Sequence, residues 1–152
     1  MSIRSTRERG VSALEALVAT AILAMTLIVA TSLVAQHVRL AKIRVMADQL
    51  VVNLQKSRLT AVTHRKSAKL VFVEEPTVGY EITDPYGYVE LVEIPNGIRI
   101  SSSDPEVEFK SNGSVSAVVS MVLETDLPNE RVERWTVNTS VSGVSKAVRS
   151  RH

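Results

Sequence analysis

Residues 16–35 form a run of twenty residues with no charge, no proline and no glycine; Thr20, Thr26, Thr31 and Ser32 are its only polar members. About twenty apolar residues in a helix span the ~30 Å hydrocarbon core of a bilayer. A secretory signal core is shorter, about 7–15 residues, and a cut before Gln36 would place Leu33 where a small residue is wanted. A buried soluble helix is the competing reading, but the basic leader Arg4, Arg7, Arg9 in front favours a retained membrane anchor. Arg39, Lys42 and Arg44 beyond the run outweigh that leader. Local charge therefore leaves the orientation open, although long C-terminal domains translocate largely regardless of it.

From Gln36 to Lys66 there is again no glycine or proline. Leu40, Ile43, Ala47, Leu50, Val51, Leu54, Ala61 and Val62 recur at spacings of three and four, the signature of one apolar helical face. Arg39, Lys42, Arg44, Lys56 and Arg65 occupy the other side as a solvated basic face or one that meets acidic neighbours. A single helix over residues 11–66 would be about 84 Å long at 1.5 Å per residue.

Beyond residue 67 the period changes from helical to alternating. Lys69–Val73, Tyr80–Ile82, Tyr88–Ile94, Ile98–Ile100, Glu106–Lys110, Ser114–Glu124 and Val132–Val141 read as strands. Asp84-Pro85-Tyr86-Gly87, Pro95-Asn96-Gly97 and Asn112-Gly113 read as the turns between them. The expected fold class is α+β: a long N-terminal helix, transmembrane then amphipathic, packed on an antiparallel β domain of seven or eight strands.

Glu15 sits at the start of the apolar run, immediately before Ala16 and five residues after Gly10. A carboxylate at membrane depth costs on the order of 3 kcal/mol, so it either lies at headgroup level near the helix N-terminus or has a partner. Here the chain resembles a known superfamily. Arg7 to Ala19, with Gly10, Val11 and Glu15, resembles the N-terminus of type IV pilins and type II secretion pseudopilins. The resemblance implies a leader, residues 1–10, cut after Gly10 by a prepilin peptidase, with methylation of the new amino terminus at Val11. It also implies that Glu15 pairs with the amino terminus of a neighbouring subunit in a filament, each buried charge compensating the other. Val11 stands where Phe or Met is commoner, and Ser12-Ala13-Leu14 replaces the usual run.

Within that superfamily the chain resembles the GspH/FimT group of minor pseudopilins and minor pilins. The helix end Ala47–Val62, which includes Arg58, the turn Phe109-Lys110-Ser111-Asn112-Gly113, and Trp135–Val137 through Ser142-Gly143-Val144 carry the resemblance. It implies a leader (1–10), a transmembrane or filament-core half-helix (11–37), an amphipathic half-helix (38–66) and a β domain (67–152). The implied place is the bacterial inner membrane, single-pass, with the β domain in the periplasm, assembled into a pseudopilus for protein secretion. The implied partners are the membrane, the prepilin peptidase and other pseudopilin or pilin subunits. The alternative is a minor type IV pilus subunit, with Lys146, Arg149 and Arg151 as a DNA-binding tail through phosphate neutralisation. Some DNA-binding minor pilins carry Arg after the glycine that here precedes Val144.

The sequence excludes several chemistries. There is no cysteine, hence no disulfide scaffold or thiolate site. His37, His64 and His152 are far apart and in no ligand spacing, and no nucleotide-binding or hydrolase motif occurs. No catalytic residue, cofactor or metal site is expected. Asp104, Glu106 and Glu108 could bind Ca²⁺ weakly, but a charged edge is the stronger reading. The net charge of +2 belongs to the leader. Residues 39–69 carry +7, residues 70–133 carry −10 and residues 134–152 carry +4. The acidic middle argues against nucleic acid as the main partner.

Overall fold

A computed structural model describes residues 13–73, 78–127 and 131–150, without the side chains of Val29, Ala30, Ser32 and Leu33. Among these described residues one helix, α1, spans Ala13–His64, and eight strands follow. They are β1 (Ala68–Val73), β2 (Gly79–Thr83), β3 (Val89–Glu93), β4 (Ile98–Ser102), β5 (Glu106–Phe109), β6 (Val119–Asp126), β7 (Val132–Thr139) and β8 (Ser145–Ser150). The chain divides into two compact units, residues 1–37 and 38–152.

In the first unit no described residue of the helix is buried. Leu14 (75% exposed), Leu17, Ile22, Leu23, Met25, Leu27 and Ile28 all project outward. Its threonines are satisfied locally: the hydroxyls of Thr20, Thr26 and Thr31 donate to the carbonyls of Leu17, Leu23 and Ile28 at 2.8–2.9 Å. This bonding leaves an apolar stretch with few polar groups in need of water.

In the second unit α1 buries one face. Ile43, Met46, Ala47, Leu50, Leu54, Ser57 and Ala61 are each no more than 2% exposed. The face expected from the apolar spacing is largely this one. Leu40 and Val51 are only half-buried and Val62 stays exposed, whereas Met46 and Ser57 join the interior. The helix ends two residues short of the expected Lys66. Arg65 turns left-handed at φ 53, Lys66 N–H reaches the Ala61 carbonyl at 3.2 Å and Arg65 N–H that of Val62 at 3.3 Å. These are the two bonds of a Schellman cap, made here without the usual glycine.

The β domain is two four-stranded antiparallel sheets, ordered β3-β2-β1-β5 and β4-β6-β7-β8. Alternation explains the packing. On β6, Val119, Met121, Leu123 and Thr125 are buried while the residues between them are half-exposed. Leu70, Tyr80, Val107, Phe109 and Val137 complete the interior with the helix face. The run expected as a strand from Ser114 begins only at Val119. The preceding residues form a loop with one isolated β-bridge, between Val115 and Phe109. The basic C-terminal segment is a regular strand: β8 pairs with β7 from Thr139↔Ser145 to Arg134↔Ser150.

Candidate functional site

Of the expected processing and assembly residues, Gly10 and Val11 lie outside the described residues. Glu15 is exposed in the first turn of α1, where the helix dipole favours an anion. Around it Leu14, Leu17 and Val18 are more than half exposed. A contiguous apolar surface of this kind marks an interaction or membrane site. Among the described residues no helix is long and apolar enough to cross a membrane. The sequence run 16–35 passes through the four residues whose side chains are outside that set.

The second unit adds a feature that the three-and-four spacing did not single out. Val38, Val45, Val52 and Leu59 recur every seven residues, and each is exposed, Leu59 at 68%. Seven residues are close to two helical turns, so these side chains form one stripe. It lies opposite the buried face of α1. Beside it Val38, Ala41, Val45, Met46 and Pro95 line a shallow apolar groove of about 310 Å³. The spacing was legible; its exposure required the fold.

The basic helix face is partly occupied within the domain. Arg39 donates to the Asp126 carbonyl at 3.0 Å, Lys56 pairs with Glu90 at 3.2 Å and Arg44 approaches Asp48 at 4.0 Å. Glu106 in the acidic segment pairs with Lys69 at 2.7 Å, a bond that raises the lysine above its ordinary range. Among the described residues no three metal-ligating side chains converge.

Lys146 and Arg149 lie on β8, and Arg151 is outside the described residues. Arg149 is bidentate to Glu133 on β7, its second contact 3.0 Å, and this pairing raises its pKa further. Lys146 makes no salt bridge among the described residues. The basic C-terminus is therefore one strand cation with an internal partner and one without, not three free cations.

The three internal motifs that carry the resemblance meet in space. Arg58 Nε donates to the Gly113 carbonyl at 3.2 Å. Gly113 closes the turn from Lys110, Gly143 closes the turn from Ser140, and Val115 N–H to the Val141 carbonyl (3.0 Å) ties the two turns. A Cβ on Gly143 would stand 2.0 Å from the Gly113 oxygen and 2.9 Å from Arg58 Nε. Arg58 thus holds one glycine turn, and the second packs tightly against it. An open groove of about 990 Å³ at the end of β1, the start of β2 and along β4 presents Arg99, Ser101 and Ser102 among apolar side chains. No carboxylate, imidazole or thiol is among its described lining residues.

A single helix with an exposed apolar surface, joined to an antiparallel β domain, defines a pilin-like fold. Solved structures bear this out. The type IV minor pilin FimU of Pseudomonas aeruginosa superposes with a TM-score of 0.58 at 13% identity, over 72% of this chain and 90% of that one. The minor pseudopilin EpsH from the type 2 secretion system of Vibrio cholerae gives 0.56 at 10% identity, over 71% and 97%. No family model matches the chain, and neither does any curated protein.

Proposed function

We propose that this chain is a minor pseudopilin: a filament subunit with no chemistry of its own, processed by a prepilin peptidase and assembled into a type II secretion pseudopilus. In this reading residues 16–35 hold the precursor in the inner membrane with the β domain in the periplasm. Cleavage after Gly10 frees the Val11 amine, which is then methylated. The observation that carries the reading is the combination of the Gly10–Glu15 spacing with a helix whose large apolar side chains are uncovered around Glu15. Lipid before assembly, and neighbouring helices after it, would cover that surface. Glu15 would meet the amine of another subunit there, a pairing that sets register more than it adds stability. The likeness to FimU supports the alternative, a minor type IV pilus subunit.

Co-expression with a prepilin peptidase tests the central step. The mature mass should lack residues 1–10, and retention of those residues refutes the reading. Glu15→Ala should leave insertion and cleavage intact and abolish incorporation into a filament; normal incorporation would remove Glu15 from the assembly site. Subunits that co-purify after crosslinking distinguish a pseudopilus from a pilus.

A further inference from the structure

Strand β3 ends one sheet and β8 ends the other. The bonding at their turns fixes what each edge offers. Asp84 N–H bonds the Tyr88 carbonyl (2.9 Å) and Ile94 N–H the Val78 carbonyl (3.0 Å). In an antiparallel ladder such pairs alternate. Glu90 and Val92 therefore turn their peptide groups to β2, while Val89, Leu91 and Glu93 turn theirs outward. By the same rule the Ser140 N–H to Val144 carbonyl bond (3.0 Å) directs Lys146, Val148 and Ser150 to β7, and Ser145, Ala147 and Arg149 outward. Each edge presents three outward residues, and among the described residues neither edge pairs with another strand.

The two edges are alike in shape and opposite in charge. β3 has five residues and carries Glu90 and Glu93; β8 has six and carries Lys146 and Arg149. Glu90 is held by Lys56 and Arg149 by Glu133, while Glu93 and Lys146 make no salt bridge among the described residues. Val89 (48%), Leu91 (47%) and Val148 (47%) are exposed beside them. Neither strand contains proline. Charge is the device that blunts either edge against its own kind: each strand carries two charges of one sign, so β3 beside β3 gathers acids and β8 beside β8 gathers bases. That device does not oppose the mixed pairing; it favours it.

We infer that β3 of one copy pairs antiparallel with β8 of a second copy, joining their sheets edge to edge. The contact is heterologous, so every copy keeps one edge of each kind free and the association can extend. It lies within the β domain and stands whether or not the chain is cut at Gly10.

The absence of cysteine makes the test clean. Full-length chain in detergent is prepared in two differently tagged batches, one Ala147→Cys and the other Leu91→Cys, then mixed and mildly oxidised. Registers shift in steps of two, so Val89→Cys and Glu93→Cys are tried as well. Opposed residues in a hydrogen-bonded pair lie about 5.5 Å apart at Cα, within reach of a disulfide. At least one mixture should give a disulfide heterodimer about ten-fold above Ala147→Cys with Ser111→Cys, an exposed turn position, as collision control. The yield should fall with added salt. For the Val89→Cys and Leu91→Cys pairs, Glu90→Lys should lower it and Lys146→Glu in the partner batch should restore it, because both residues turn their peptide groups away from the joined edge and so share one face of it. Yields no higher than the collision control for all three positions would overturn the proposal, as would Leu91→Cys linking to itself as readily as to Ala147→Cys.

Discussion

Gly143→Ala is the most telling single substitution, because the structure supplies its control. Gly143 has φ +77, and an alanine in that left-handed conformation costs about 1–2 kcal/mol. Gly87 has φ +86 and nothing within 4 Å of its would-be Cβ, so Gly87→Ala should cost that amount and no more. At Gly143 the new methyl would stand 2.0 Å from the Gly113 oxygen. That oxygen is backbone, fixed in its own turn and accepting from Arg58, so the two turns must separate. Overpacking adds about 1–3 kcal/mol, and loss of the Arg58 hydrogen bond about 1 kcal/mol more. The total is about 3–6 kcal/mol, a large share of the ~5–15 kcal/mol that holds a domain folded. The assay is urea unfolding of the full chain in detergent, followed by the fluorescence of Trp135, the one tryptophan, which packs against the core. At a slope of about 1.5 kcal/mol per molar urea, Gly143→Ala should lower the midpoint by about 2 M or more and Gly87→Ala by about 1 M. Equal midpoints for the two variants would refute the claim that these turns pack tightly together.

Tyr80 is fully buried and accepts a hydrogen bond from Asn53 at 2.8 Å. Tyr80→Phe should cost about 1 kcal/mol at neutral pH through the stranded amide. Burial raises its phenol above the ordinary value of 10.0. The unfolded chain therefore ionises first, and the stability difference between wild type and Tyr80→Phe should shrink as pH rises beyond 10, measured by the same unfolding at several pH values. At the surface, the paired contacts of Arg99 at 2.8 Å hold the Asp126 carboxyl below its ordinary 3.8. Their contribution is complete at neutral pH and lost as pH falls below that value. A carboxyl NMR titration should show Asp126 rising towards 3.8 in Arg99→Gln, and an unchanged midpoint would remove the pairing.

Much of the fold was legible because each element follows a single period. The spacing of Ile43, Ala47, Leu50, Leu54 and Ala61 selects the buried helix face, and two-residue alternation marks the strands. What escaped depended on tertiary contacts. Residues 114–118 have strand composition, but they cross over the Gly113 and Gly143 turns and make one bridge instead of a ladder. The cap at Arg65 escaped for a local reason: it does with arginine what glycine usually does. Glu15 was legible as an oddity of charge at the start of an apolar run, and the stripe Val38–Val45–Val52–Leu59 was not, since exposure cannot be read from spacing.

The charge pattern changes meaning once the strands are in place. Counted along the chain, residues 134–152 are a basic tail and residues 70–133 an acidic block, which suggests a nucleic-acid contact repelled by its own domain. In the fold, Arg134 is spent on Glu124 (2.6 Å) and Arg149 on Glu133, both across β-ladders. Among the described residues of the C-terminal segment, Lys146 on one sheet edge has no salt bridge, and in the acidic segment Glu93 on the other edge is one of several acids without one. Polyanion binding needs several cations presented together, because affinity grows with the number of phosphates neutralised. Edge pairing between copies needs only that unlike edges meet and like edges do not. Among the described residues of the C-terminal segment only Lys146 is left without a salt bridge, and that argues for the second arrangement over the first.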